Sequence, residues 1–227
     1  MPVSMPAILA LLHTTAVTIA VFAEAARSQL EGIRAVNLLD DSLLADVIEA
    51  GRVTAAVDTR LRAYVEQASV LGASAIMSCC SSIGAAMERI AEGAPLPVWR
   101  VDEAMAEEAV ARGGRIGVLA TVRTTMDPTI ELIERTAARR QATARVSPVF
   151  VAGAFQSLRA GDVADHDDRV RCGLEELIGV ADLVVLAQAS TARVAATMSD
   201  FPLPILTSPQ SGLRRARERL ATLRGDA

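Results

Sequence analysis

Leu71-Gly-Ala-Ser-Ala-Ile-Met-Ser-Cys-Cys-Ser-Ser-Ile-Gly84 is the stretch from which the rest of the chain is read. Ser74 to Ser78 is a short, mostly apolar run with no breaker. Cys79-Cys80-Ser81-Ser82 follows at once, and a helix-like pattern begins near Ile83. A buried strand that ends in small polar residues and turns into a helix is where open α/β sheets bind ligands. Amides at a helix N-terminus favour anions and lower the pKa of a thiol. On that reading Cys80 is a reactive thiolate, and the hydroxyls of Ser81 and Ser82 hold a carboxylate. The plain alternative is a small buried Cys pair closing a strand, since free Cys is among the most buried residue types.

The pattern occurs twice. Ser74-Ala-Ile-Met-Ser-Cys-Cys-Ser-Ser82 aligns without a gap to Asp182-Leu-Val-Val-Leu-Ala-Gln-Ala-Ser190. Gly72 and Gly179 precede the two blocks. A helical stretch follows each, and then the same tripeptide, Pro95-Leu-Pro97 and Pro202-Leu-Pro204. A third echo pairs Ala7-Ile-Leu-Ala-Leu-Leu-His-Thr-Thr15 with Arg115-Ile-Gly-Val-Leu-Ala-Thr121, with Thr124-Thr125 behind it. The chain therefore reads as two copies of one α/β unit. A pseudo-dyad between the copies would set Cys80 and Gln188 face to face across a cleft.

In the order and spacing of these motifs the chain resembles the aspartate/glutamate racemase superfamily. That superfamily includes the hydantoin racemases, maleate isomerases and arylmalonate decarboxylases. The resemblance implies two pseudo-symmetric, Rossmann-like (flavodoxin-like) parallel-sheet domains with the active site in the cleft between them. Cys80-Ser81-Ser82 matches the first cysteine motif of the family, and Ala120-Thr121-Val-Arg-Thr124 its Gly-Thr-x-x-Thr-like loop. The second cysteine is not matched: Gln188 stands in its place. The implied chemistry uses no cofactor. A proton leaves the carbon next to a carboxylate, and hydrogen-bond donors stabilise the enediolate-like species that results. Ser81, Ser82, Thr121, Thr124 and Ser190 are the implied donors. Racemisation needs an acid/base group on both faces. This chain has one such group, Cys80, because Gln188 does not titrate.

Composition narrows the field. The chain has 227 residues, enough for one large domain or two small ones, and 51% of them are hydrophobic. Ala, Val, Leu and Ile dominate, as in parallel sheets covered on both faces. A net charge of −4 argues against a nucleic-acid partner. The basic runs Arg139-Arg140 and Arg214 to Arg224 read as solvated helix faces. Three Cys make no disulfide framework and suggest a reducing, cytoplasmic setting. No metal-ligand spacing is present, and no stretch reads as a membrane span. Met1 to Ala23 reads as strand, polar loop and helix rather than as a signal peptide. A small carboxylate is the expected partner, and homo-oligomerisation is left open.

Along the chain, Pro6 to Leu12 is the first strand. His13, Thr14 and Thr15 sit at its carboxyl end, where the Thr hydroxyls cap a helix or bind a carboxylate and His13 is either structural or a proton carrier. Ile33 to Leu38 is a strand, with Asp40-Asp41-Ser42 as an N-cap behind it, and Ala55 to Leu71 is a long helix. The expected division is residues 1–96 with 208–227 as one half and 97–207 as the other, hinged at Gly93 to Pro97. Thr121, Thr124 and Thr125 form a loop behind the strand Arg115 to Ala120, and Pro128 opens the next helix. His166 is expected at the surface ahead of a helix capped by an Asp, and Cys172 in the core. Two other functions remain in play beside a racemase-like enzyme. One is a single-cysteine decarboxylase or cis–trans isomerase; the other is a non-catalytic carboxylate-binding protein. A redox role for Cys79-Cys80 is weaker, because adjacent Cys form only strained disulfides.

Overall fold

The computed structural model describes residues 6–225. The first five residues of the Met1–Ala23 stretch and the last two of the 208–227 segment lie outside the described residues. The chain divides into two compact units, one running to Val101 and resuming at Pro209, the other Asp102–Ser208. The first contains β1 (Ala7–His13), α1 (Ala16–Gln29), β2 (Ile33–Leu39), α2 (Ser42–Ala50), α3 (Ala55–Val70), β3 (Ala75–Ser78), α4 (Gly84–Ala91) and β4 (Val98–Arg100). The second contains α5 (Glu103–Arg112), β5 (Arg115–Ala120), α6 (Arg123–Arg139), β6 (Arg145–Phe150), α7 (Ala154–Arg159), α8 (Val163–Glu175), β7 (Leu183–Leu186), α9 (Ala192–Ala196) and β8 (Ile205–Thr207). The closing helix α10 (Ser208–Arg224) belongs to the first unit from Pro209 onward.

Each unit holds one four-stranded parallel sheet, in the order β2-β1-β3-β4 and β6-β5-β7-β8. Strands β3 and β7 are buried at all four of their positions. That explains why they read as continuous apolar runs: helices cover both faces of a parallel sheet, so neither face can be polar. In the first unit Leu61, Val65, Ile76, Met87 and Ile90 pack one such layer. In the second, Ile116, Val118, Leu132, Ile133 and Val185 do the same.

The repeat in the sequence is a repeat of strand register. Leu9 to Leu12 pairs with Ala75 to Ser78, and Ile116 to Leu119 pairs with Leu183 to Leu186. Ile76 to Ser78 pairs with Val98 to Arg100, and Val184 to Leu186 with Ile205 to Thr207. The gapless alignment of the two blocks superposes both sets. Entry to the strands repeats too: the Ser74 N–H donates to the Ile8 carbonyl at 2.8 Å, and the Asp182 N–H to the Arg115 carbonyl at 2.8 Å. The two Pro-Leu-Pro tripeptides deliver the last strand of each sheet. Pro97 accepts from the Ile76 N–H at 3.0 Å and Pro204 from the Val184 N–H at 2.8 Å. A proline at a strand entry loses no ladder bond on its own N side.

Several local expectations change. The first unit runs past residue 96, because Val98–Arg100 pairs with β3. Helix α6 starts at Arg123, directly after β5, and carries Pro128 inside it. The proline forfeits one bond to the Thr124 carbonyl. The apolar face of Met126, Leu132 and Ile133, packed on the sheet, outweighs that loss. Thr124 and Thr125 are therefore in a first helical turn rather than a loop. Helix α8 starts at Val163 with Asp162 as its cap, accepting from the Asp165 N–H at 3.0 Å. His166 is buried, with Nδ1 2.8 Å from the Asp167 carboxylate, and Cys172 is exposed. The helix starts well ahead of His166 instead of after it, so helical geometry sets which way both residues face.

Two stability predictions arise here. Gly212 in α10 lies so close to β4 that a Cβ there would sit 2.5 Å from the Val101 carbonyl oxygen. Gly212→Ala should therefore cost about 1–3 kcal/mol in denaturant unfolding, although alanine is the better helix former. The second concerns Asp40, which closes the N-terminus of α2. Burial pushes its carboxyl up, but hydrogen bonds from Ser42, Arg60 and Tyr64 and the Arg60 charge together outweigh burial and bring it down to about 2. Its ordinary value is 3.8, so its contribution is complete above that and is lost as pH falls toward 2. Asp40→Ala, which strips Arg60 and Tyr64 of their acceptor, should destabilise by about 1–3 kcal/mol at neutral pH. Its acid unfolding curve should also be flatter between those two pH values.

Candidate active site

Topology decides where a site can be. From β1 the chain steps to β2 on one side and returns to β3 on the other. The loops after β1 and β3 therefore leave the carboxyl edge in different directions, and a ligand fits at that switch point. β5 and β7 stand in the same relation in the second unit.

In the first unit the two loops meet side chain to side chain. Leu12 pairs with Ser78. Two residues further on, and on the same faces by strand alternation, come Thr14 and Cys80. The Thr14 hydroxyl hydrogen-bonds to the Cys80 sulfur. Cys80 is half-buried in extended backbone, and the 3₁₀ turn Ser81–Ile83 follows it. The N–H and hydroxyl of Ser82 and the N–H of Ile83 also point at the sulfur. Burial is the largest influence and pushes the thiol up; these four hydrogen bonds pull it down, and the balance is upward from 9.0. The expectation of a thiol depressed by helix amides is thus corrected: burial outweighs the amides, and Cys80 rests as a thiol. Cys79 faces the other way, fully buried, and burial pushes it well above its ordinary value.

His13 lies beneath this edge, completely buried. Its Nδ1 is 2.8 Å from the Thr18 hydroxyl, its Nε2 3.0 Å from Asn37 Oδ1, and Phe22 packs edge-on at 5.4 Å. Burial pushes its pKa down, against the Asn37 hydrogen bond. With both nitrogens engaged it is a neutral pillar between β1, β2 and α1. Ser81 and Thr14 are buried at the edge itself.

The second unit repeats the geometry with different chemistry. Leu119 pairs with Leu186, and two residues further on come Thr121 and Gln188. Gln188 Oε1 accepts the Thr121 N–H at 2.5 Å and the Thr121 hydroxyl at 3.1 Å. The Gln188 carbonyl accepts the Thr191 hydroxyl at 2.7 Å and the Thr191 N–H at 3.2 Å, closing the 3₁₀ turn Ala189–Thr191 with Ser190 buried in it. Behind the turn, Arg193 in α9 donates to the Asp167 carboxylate at 2.8 Å, beside His166. The extended Val122 precedes α6 and offers no side chain to cap it. Thr124 is half-buried; Thr125 is buried, its N–H donating to the Val122 carbonyl at 3.1 Å. Exposed Arg123 stacks over Phe150 at 4.3 Å.

The structure thus groups Thr14, Cys80, Ser81 and Ser82 at one sheet edge, and Thr121, Gln188 and Ser190 at the other, with Thr124 and Thr125 beside them. Ile83, Thr191 and Asn37 were not foreseen. Ile83 and Thr191 are the next pair in the aligned blocks, so continuing the alignment by one residue finds them. Asn37 carried no signal, since it lies in an edge strand and meets His13 only through the β1–β2 register.

The Asp/Glu/hydantoin racemase family model matches residues 10–216. Among solved structures, aspartate racemase from Picrophilus torridus is similar at a TM-score of 0.73 and 11% identity, over 96% of this chain and 94% of that one. Glutamate racemase isoform RacE1 from Bacillus anthracis gives 0.72 and 16%, over 97% and 84%. Allantoin racemase from Klebsiella pneumoniae gives 0.67 and 13%, over 96% and 88%. At such identities the structures speak to the fold alone. The chain has no significant match among curated proteins. No helix among the described residues is long and apolar enough to cross a membrane.

A raised thiol has a direct consequence. At pH 7 Cys80 should react with iodoacetamide more slowly than exposed Cys172, and its rate should climb about tenfold per pH unit up to and beyond pH 9. Mass spectrometry of the labelled peptides gives both rates. Faster labelling of Cys80 than of Cys172 at pH 7 would contradict the balance of burial over hydrogen bonding.

Proposed function

The chain belongs to the Asp/Glu/hydantoin racemase family, an enzyme of the isomerase class, and from that premise we propose that it moves a proton at the carbon α to the carboxylate of a small acid without a cofactor. Cys80 is the acid/base. The observation that carries this reading is the pair of equivalent hydrogen bonds, Thr14 to Cys80 and Thr121 to Gln188, of which only the first ends on a titratable group.

In this reading the Cys80 and Gln188 edges both serve one substrate; the gapless repeat supports that assignment. Once the Cys80 thiol has given its proton to solvent, the substrate's C–H bond breaks, its electron pair passes into the carboxylate to give an enediolate, and the proton goes to the thiolate. The reverse step returns it. The Thr14, Ser82 and Ile83 donors that face the sulfur stabilise that anionic form against the cost of its burial. Ser81, Thr124, Thr125 and Ser190, with nearby amides, hold the carboxylate oxygens. Three free thiols suit a reducing, cytoplasmic setting.

A second reading has its own support. Because burial leaves Cys80 protonated at rest, it is poised to give a proton before it takes one. In a decarboxylation the C–C bond to one carboxylate breaks and carbon dioxide leaves. The remaining carbanion takes the proton of Cys80, and solvent reprotonates the sulfur.

The test is chiral analysis of small α-substituted carboxylates turned over in deuterated water. The wild type should introduce deuterium on a single face. Cys80→Ser should lower the rate at least ~100-fold, the usual loss of a positioned acid/base. Gln188→Cys should fold normally and add exchange on the second face. Efficient racemisation by the wild type would require a second proton carrier and sink the one-sided mechanism.

A further inference from the structure

The Gln188 amide has a fixed direction, and the backbone fixes it. A peptide N–H can only donate, so the Thr121 N–H at 2.5 Å must face the amide oxygen and not the amide nitrogen. The Thr121 hydroxyl adds a second donor to the same oxygen at 3.1 Å. Both lone pairs of Oε1 are then occupied. The two N–H bonds of Nε2 are left for something other than Thr121. Flipping the amide would set its NH2 against a backbone N–H and leave that buried donor without an acceptor, at a cost of about 1–3 kcal/mol. The side chain is half-buried on a 3₁₀ turn that Thr191 closes from beneath. Its direction therefore does not depend on a ligand.

We propose that Gln188 is an oxyanion donor: its NH2 group, aimed by Thr121, binds an acceptor oxygen of the substrate as that oxygen gains charge. The inference rests on the reading of Cys80 as the single proton carrier and deepens it. It assigns the second edge a charge-stabilising task in place of a proton-transferring one. As the C–H or C–C bond at the α-carbon breaks, the electron pair moves onto a carbonyl-type oxygen, and a preorganised N–H donor there strengthens without moving. The edge then selects acids that present such an oxygen to it. Substrates with only an alkyl group there leave the NH2 unpaired and are disfavoured. Thr121 is the positioning residue. Its hydroxyl is committed to Gln188, which removes it from the set of groups free to donate to the substrate carboxylate.

Two measurements on the full chain decide this. The first is nitrogen–proton NMR of the Gln188 side-chain NH2 pair, assigned by its disappearance in Gln188→Glu, during titration with malonate as the probe. The pair should shift and saturate. Thr121→Val should weaken the shift and Thr121→Ser restore it. If the pair stays in place in the wild type, whether or not other amides move, the assignment is overturned. The second is turnover by Gln188→Glu, which keeps the size of the side chain and the acceptor for Thr121 but presents oxygen where nitrogen stood. Deuterium incorporation should fall about 100- to 1,000-fold at neutral pH. Part of it should return as pH is lowered through the introduced carboxyl, whose protonated form can donate again. A normal rate, or a loss that follows the melting temperature and ignores pH, overturns the proposal. Failure of the wider reading looks different: the NH2 pair would shift with malonate while the wild type incorporated no deuterium with any acid.

Discussion

The register between the first and third strands of each sheet is the constraint on which the rest depends. In both units it sets a threonine at the end of one strand directly beside the residue that matters at the end of the next: Thr14 beside Cys80, Thr121 beside Gln188. Strand register is quantised. A slip of one residue turns every side chain to the opposite face, and here it would bury Cys80 in the place of Cys79. The burial of β3 and β7 on both faces makes such a slip costly. The hydrophobic core thus positions the polar edge without touching it.

The same frame is then used for unlike groups, and burial treats them differently. A thiol pays for a half-buried place only when it ionises, so the surroundings of Cys80 are judged by its anion. Four donors face the sulfur and still do not outweigh desolvation. An amide has no charged form. Gln188 needs only partners for its oxygen and nitrogen, and Thr121 satisfies the oxygen completely. Where the first edge releases a proton only at an energetic cost, the second stores direction at almost none.

Much of this was legible in the sequence because it is carried by repetition. The two nine-residue blocks, their preceding glycines and the Pro-Leu-Pro tripeptides encode the strand register itself, and the structure superposes them residue for residue. What was not legible depends on sums over three dimensions. Whether Cys80 is depressed or raised is a contest between burial and donors from Thr14, Ser82 and Ile83, and only the last two are local in sequence. That the Thr121 hydroxyl meets Gln188 was not legible, because the two are 67 residues apart. Pro128 read as a helix start because propensity is local, whereas the packing of Met126, Leu132 and Ile133 that overrides it is not. His166 misled for the same reason: an error in a helix start exchanges a surface face for a buried one.

The two halves also diverge beneath their edges, and the divergence is matched in volume. In the first unit Ser78 pairs with Arg100, whose buried guanidinium lies against Gly84 at the start of α4; a Cβ on Gly84 would come within 2.6 Å of it. In the second unit the equivalent residues are Leu186, Thr207 and Ala192. A large charged side chain goes with glycine, and a small one with alanine. The floor beneath Cys80 is therefore polar, with the Ser78 hydroxyl buried there without a hydrogen-bond partner and Glu88 3.3 Å from Arg100. The three equivalent positions beneath Gln188 carry no charge. A titrating group at the first edge gains from polarisable surroundings that can answer a change of charge. A group that never changes charge has no such need, and the hydrogen bonds from Thr121 fix the direction of the Gln188 amide.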